Sequence, residues 1–309
     1  MSRDSWLIYE SGYHWEGYVS MYEATGDTRY LDRMLEYTDN WIETSRPSNE
    51  LPGSYGESRF RGWISMTHPR ANNNEYPLFE SYGWRFVAKL LYLMDGEPGY
   101  EEQFQKLLEF TETHIWDKWY SRGTRHLYRQ NTHMASHWAY IGMFLGEVTR
   151  SATRREQCRE VAANISHQGL PNFDDHSLRS QIVDGVALPG AAFWHPNWGL
   201  FDLPGSDVSH GEAVVTFVVE AYEFGLGPWD AEDMGAMVAM FDMLVWAEGE
   251  RASDYIDGSG VGSGWIHGYV RLGRYDVPLH KRLESTNRNS IWHCGNMAAS
   301  ARVLRGGID

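Results

Sequence analysis

Pairs of amphipathic helical stretches joined by short Gly- or Asp-containing turns recur along this chain, and they restrict it to a fold assembled from antiparallel helical hairpins. In the first pair Trp15, Val19 and Tyr22 share one helix face, Gly26-Asp27 interrupts the pattern, and Leu31, Met34, Leu35, Thr38, Trp41 and Ile42 resume it. A second pair follows Asn72-Asn73-Asn74, runs through Leu78, Trp84, Val87 and Leu91, turns at Asp95-Gly96-Glu97-Pro98-Gly99, and returns through Phe104, Leu107, Leu108 and Ile115. The third starts near Asn131 with Trp138, Ile141, Leu145 and Val148, turns around Ser151, and returns through Cys158, Val161, Ala162 and Ile165. The fourth begins at Asp207-Val208-Ser209, turns at Gly225-Leu226-Gly227-Pro228, and returns through Met234, Met237, Val238, Phe241 and Leu244. A last helix, roughly Asn289 to Leu304, has no following partner.

The hairpin starts lie further apart than common solenoid repeats allow, and the excess falls in loops rich in Gly, Trp and His. Long structured loops on a helical scaffold are usually where function sits. No Pro/Ser-rich linker or low-complexity stretch divides the 309 residues, so a single domain spanning 1–309 is expected.

The 14 Trp, 18 Tyr and 12 Phe exceed what helix packing needs. Flat apolar faces with polar edges suit carbohydrate rings, although most such residues fill helix seams. Trp63, Trp194, Trp198 and Trp265, in Gly- or Pro-rich loops, are the least easily read as core.

A formal charge of −15 argues against a nucleic-acid surface or an anionic membrane as partner. It leaves an anionic sugar polymer open, because a cleft can be locally basic on an acidic protein. Cys158 and Cys294 fall inside helical patterns and read as buried free thiols. There is no apolar run of transmembrane length, and Met1-Ser2-Arg3-Asp4-Ser5-Trp6 lacks a signal-peptide core. The expected location is cytoplasmic as written, or periplasmic or secreted if a signal was removed.

Polar residues gather where the first helix of each hairpin begins: His14 and Glu16; Asn72, Asn73, Asn74, Glu75 and Tyr76; Arg129, Asn131, His133 and His137; Asp207, Ser209, His210 and Glu212; Arg288, Asn289 and His293. If these first helices form an inner ring, the clusters converge at one mouth. Helix N-termini also favour an anionic ligand or a developing oxyanion. Ordinary capping accounts for Asn74, Asn131, Asp207 and Ser209, but not for His133, His137 and His210. His133 and His137 stand four apart, as a zinc pair would, yet the His-Met-Ala-Ser-His run lacks the Glu of a metalloprotease motif; the reading is no metal and no other cofactor.

Three stretches carry a resemblance: Met21-Tyr-Glu-Ala-Thr-Gly-Asp-Thr-Arg-Tyr-Leu-Asp32, Asn131 to Val148, and Asp207-Val-Ser-His-Gly-Glu212 followed by Val219-Glu-Ala-Tyr-Glu-Phe-Gly225. With them the chain resembles the (α/α)-toroid carbohydrate enzymes, the six-hairpin glycosidases and the polysaccharide lyases on that scaffold. The resemblance implies an all-α, incomplete or complete (α/α)5–6 toroid with a sugar cleft at the inner-helix mouth. A short strand or loop insertion near 255–278 is expected in place of a regular hairpin.

Lyases on this scaffold commonly use Asn, His, Arg and Tyr. The resemblance therefore puts forward Asn131, His133, His137, His210 and Tyr76 as catalytic candidates and Arg129 as a substrate-binding one; the helix entries and the aromatic loop add Asn73, Trp194, Trp198, Asp207 and Arg288 as substrate-binding candidates. Asn131 would neutralise a uronate carboxylate, His210 would be neutraliser or base, and Tyr76, or alternatively Tyr140, would protonate the leaving oxygen. The sequence departs from the Asn-Asn-His run of alginate lyases, since Glu75 follows Asn72-Asn73-Asn74. The expected activity is β-elimination on a uronic-acid-containing poly- or oligosaccharide. A glycoside hydrolase using Asp207 with Glu75 or Glu212 is the alternative, and a non-catalytic sugar-binding protein the third.

Overall fold

The computed structural model describes residues 3–52, 55–200, 202, 204–247, 251–262, 266–286 and 288–306; Trp265 lies outside them. The described chain is helical, with two short antiparallel sheets of two strands each. It divides into two compact units, residues 1–127 with 140–159, and residues 128–139 with 160–309.

In the first unit, α1 (Ser5–Thr25) and α2 (Thr28–Thr44) form the first hairpin. Gly26, at φ 66°, ends α1 in the left-handed conformation and donates its N–H to Tyr22 O, while the Asp27 carboxylate caps α2 by accepting from Arg29 N. The Gly-Asp dipeptide thus ends one helix and starts the next. The second hairpin pairs α3 (Pro77–Met94) with α4 (Glu101–Phe110). Every residue of α3 except Tyr92 and Leu93 is buried, whereas α4 buries only Phe104, Leu107, Leu108 and Phe110. One helix is core on all sides and its partner covers it with one face.

Helices α1 and α3 pack closely at two glycines: a Cβ on Gly12 would lie 2.6 Å from the Tyr82 ring, and one on Gly83 3.0 Å from Ile8. The chain after α4 continues as a π-helical turn, Thr111–Asp117, into the single turn α5 (Lys118–Ser121). A π turn re-aims the side chains that follow it, and here Trp116, Lys118 and Trp119 are buried. Strands Arg46–Pro47 and Arg61–Gly62 pair beside them.

The third hairpin, α6 (Thr132–Val148) and α7 (Ala152–Ala163), contributes residues to both units. The second unit adds the π turn Asn164–Gln168, the short α8 (Leu178–Gln181), and the strand pair Val183–Asp184 with Ala192–Phe193. The fourth hairpin, α9 (Val208–Phe224) and α10 (Ala231–Ala239), again has a buried first helix and a second that closes in a π turn, Met240–Val245. The stretch after Tyr255 begins as loop, with Tyr255 bridged to Asp207. From His267 to Arg274 it becomes a 3-10 helix where strand or loop was expected, followed by α11 (Val277–Glu284). Its apolar residues Tyr269, Val270 and Leu272 do not alternate, and Arg271 between them is buried against Glu220 (2.8 Å) and Asn296 (3.2 Å), so no strand face exists. The last helix, α12 (Ile291–Gly306), packs on this 3-10 segment and α11. Its partner therefore precedes it in the chain.

Both cysteines are free, but only Cys158 is buried; Cys294 is exposed on α12. Among the described residues no helix is long and apolar enough to cross a membrane.

Candidate functional site

In the second unit, the starts of α6 and α9 lie together. The α6 start is pinned by the aromatic loop of residues 194–200. Asn131 and Asn197 form a β-bridge, their side chains meet with Asn131 Nδ2 donating to Asn197 Oδ1 at 2.9 Å, and Thr132 N donates to Pro196 O at 2.8 Å. Trp198 donates its indole N–H to Arg129 O at 2.6 Å. The loop is held from its other side by Gln181, whose amide donates to Asn197 O (3.0 Å) and Leu200 O (3.1 Å) and accepts from Gly199 N (3.1 Å). Gly199 sits at φ 72° with the His176 ring 2.6 Å from where a Cβ would be, so no other residue fits there without displacement.

The α9 start is capped by Asp207, whose carboxylate accepts from His210 N at 3.1 Å and Ser209 Oγ at 2.6 Å. The same carboxylate grips the His210 ring, with Nδ1 2.9 and 2.8 Å from its two oxygens. An ionised carboxylate only accepts, so Nδ1 carries the hydrogen and Nε2 is the nitrogen left for a ligand. Burial pushes the Asp207 carboxyl up, but the His210 ring, the Ser209 hydroxyl and the backbone N–H outweigh it and hold the acid well below the ordinary carboxylate range. Beside this pair, the His133 ring lies with its centroid 4.2 Å from that of His210 and inclined by 34°, and His137 stands 6.2 Å further along α6.

The second unit therefore brings together Asn131, His133, His137, Asp207 and His210, with Arg129 and Trp198 at the loop that frames them. His133 and His137 are buried, while His210 and Asp207 keep 42% and 35% of their side-chain surface. Trp194 is fully buried, packed 3.3 Å from where a Cβ on Gly211 would stand, and offers no stacking face. Glu212 is buried under Gly268, where a Cβ would come within 2.1 Å of its carboxylate. Arg288, in the same unit, acts on His293: with burial as the larger cause, it helps push that ring down to about 4. Among the described residues no group of three or more His, Cys, Asp or Glu side chains could share a metal ion.

Asn73 and Tyr76 belong to the first unit. Asn72 and Asn73 adopt φ 46° and 58° in a tight turn closed by Asn74 N donating to Ala71 O, so the Asn run serves backbone geometry that Asn tolerates and most residues do not. Tyr76 precedes α3 with its ring on Phe79. Glu75 is locked in a buried ion cluster: its carboxylate meets Lys118 Nζ and Arg122 Nη2 at 3.1 Å each and accepts from Ser48 Oγ at 3.1 Å. Lys118 also pairs with Glu80 at 2.8 Å, and Trp119 donates to Glu80 at 2.7 Å. Burial raises both carboxyls; at Glu75 the two cations prevail and lower it, while burial keeps Glu80 raised. His114 nearby accepts from Arg61 N and is pushed down to about 4, by burial first and then by Lys118 and Arg61.

Residues that sequence reasoning passed over are Gln181 and Asn197, which position the loop. The short α8 that presents Gln181 carries no periodicity, and Asn197 is one polar residue in an aromatic stretch.

No protein-family model and no curated protein matches this sequence. The fold is similar to the solved structure of Polysaccharide Lyase BACCELL_00875, with a TM-score of 0.52 and 12% identity over 97% of this chain and 91% of that one. Together with the helical hairpins, this likeness gives the chain the all-α, hairpin-built toroid fold class with short strand insertions.

Proposed function

We propose that this chain is a polysaccharide lyase that cleaves a uronate-containing polymer by β-elimination at the cluster formed by the α6 and α9 starts. The observation that carries the proposal is the Asp207–His210 pair: a carboxylate holding Nδ1–H at 2.8 Å directs Nε2 outward as a base, on a side chain that keeps 42% of its surface. In the proposed step Nε2 takes the C5 proton of the uronate. The C5–H electron pair forms the C4=C5 double bond, C4–O4 breaks, and the imidazolium formed on His210 returns the proton to O4. Asn131, with His133 beside it, faces the uronate carboxylate and favours the enolate-like charge that develops there. Asp207 acts through His210, orienting the ring by holding Nδ1, so in this proposal it is a positioning residue rather than the substrate ligand expected from the sequence. Tyr76 carries no step in this proposal.

The likeness to a solved polysaccharide lyase supports this reading at the level of the fold. The hydrolase alternative has less support: Glu75 is committed to Lys118 and Arg122, Glu212 is buried under Gly268, and Asp207 is held ionised by His210, which unsuits it as a general acid. The test is ultraviolet detection of the conjugated unsaturated uronate during incubation with alginate, glucuronan, hyaluronan and pectin, for wild type and His210→Ala. Loss of at least about a hundredfold in the variant is expected for a general base. Unchanged elimination by folded His210→Ala would overturn the assignment.

A further inference from the structure

A cleft of about 180 Å³ adjoins the Asp207–His210 pair in the second unit, lined by Asp207, Val208, Ser209, Ser253, Asp254, Tyr255 and Gly262. At about 30 Å³ per water it holds about six waters, the room of a single sugar ring. Its walls are fixed by backbone pairing. Val208 N donates to Asp254 O at 2.8 Å, Tyr255 N donates to Ser259 O at 3.1 Å, and Asp207 and Tyr255 form a β-bridge. Two glycines allow the wall to close: a Cβ on Gly262 would fall 2.3 Å from Ser253 O, and one on Gly260, at φ 79°, 2.5 Å from the Asp254 carboxylate.

Most polar groups of this cleft are already engaged. The Asp207 carboxylate takes His210 and Ser209, and the Ser253 hydroxyl donates to Tyr255 O at 2.6 Å. What remains for a ligand among the lining residues is Asp254, exposed and carrying a carboxylate acceptor for hydroxyl donors, and Tyr255, a residue 37% exposed. An aromatic face beside a hydrogen-bond acceptor suits a pyranose. Two carboxylates bordering the same small space disfavour a second anion, because like charges at short range repel in partly desolvated surroundings.

We infer that this cleft is a subsite for an uncharged, hydroxyl-rich sugar unit, stacked on Tyr255 and bound through hydroxyls to Asp254. The inference rests on the lyase reading for its consequence: the uronate sits over His210 and Asn131, its neighbour in the Asp254 cleft is neutral, and the substrate class is a polymer in which uronate and neutral sugars adjoin. A homopolymer of uronate would place a carboxylate against Asp207 and Asp254.

The test is calorimetric binding, in the His210→Ala background so that nothing turns over, of cellotetraose and of the β-1,4-linked glucuronate tetrasaccharide. Neither Tyr255→Ala nor Asp254→Asn removes a hydrogen bond given above for the cleft wall, since those use main-chain atoms. Cellotetraose is expected to bind, and to bind about tenfold more weakly to Tyr255→Ala, in the range of one lost stacking contact. The glucuronate tetrasaccharide is expected to bind more tightly to Asp254→Asn than to the parent at low salt. Failure of cellotetraose to bind, or equal affinity across the parent and both variants, would overturn the subsite. Tyr255-dependent binding without any elimination by the wild type would instead sink the lyase reading and leave the subsite standing.

Discussion

Replacing Glu75 with Gln separates a structural role from a catalytic one. The Glu75 side chain has no solvent exposure and holds Lys118 and Arg122, themselves 0% and 2% exposed, together with the Ser48 hydroxyl. A carboxamide in its place keeps the shape but removes the charge, and its NH₂ can only point a donor at a cation or at Ser48. Breaking a buried ion pair from one side costs about 3–5 kcal/mol. Glu80 still neutralises Lys118 and Glu57 still meets Arg122 at 3.0 Å, so the lower half of that range, about 3 kcal/mol, is expected. At roughly 2 °C per kcal/mol for a chain of this size, the melting temperature should fall by about 6 °C. The assay is differential scanning calorimetry at neutral pH, paired with activity at a temperature where the variant is fully folded. Activity per folded molecule should be retained. A variant with an unchanged melting temperature and no activity would refute the reasoning and restore Glu75 as a hydrolase carboxylate.

Three further outcomes follow from the same geometry. Gly268→Ala should lower the melting temperature, because its Cβ would come within 2.1 Å of the buried Glu212 carboxylate; a melting temperature equal to wild type would show that Glu212 is free to move away. An aqueous thiol reagent should modify Cys294 in the native protein and Cys158 only after unfolding, which a titration with and without denaturant reads directly. Because the Asp207 carboxyl is lowered in the folded state, its cap contributes fully to stability above the ordinary value near 3.8 and is lost as pH falls below it. Wild type should accordingly lose a stability increment below about pH 4 that Asp207→Ala lacks, and parallel acid-denaturation curves would contradict this.

The hairpins were legible because burial imposes its period on the sequence. Gly26-Asp27 reads as a turn, and it is a left-handed cap followed by an N-cap. Trp138 and Ile141 read as core and are fully buried. The His-rich starts of α6 and α9 were also legible, since His133, His137 and His210 are poor caps and stand together in the structure. Asn72-Asn73-Asn74 has a local explanation that the sequence did not show: Asn is both a ligand-binding side chain and the residue that best tolerates left-handed backbone, and composition cannot separate the two. Trp194 misled because a Gly/Pro-rich loop need not be exposed, and this one folds onto the glycine face of α9. The contact between Asp207 and the His210 ring could not be read in the sequence, because an N-cap at i and a His at i+3 is unremarkable until the ring is seen turned back onto the carboxylate. Short 3-10 and π turns left no signal, their side-chain periods being broken by the backbone change itself.

The most direct measurement on the central claim is the ultraviolet absorbance of unsaturated uronate released by wild type, Asp207→Asn and His210→Ala from the panel of uronate polymers, with reducing ends counted in parallel. The account predicts an absorbance rise matched by reducing ends in the wild type, a strong reduction in Asp207→Asn and abolition in His210→Ala. Reducing ends appearing without any absorbance rise would contradict it and identify hydrolysis as the chemistry of this site.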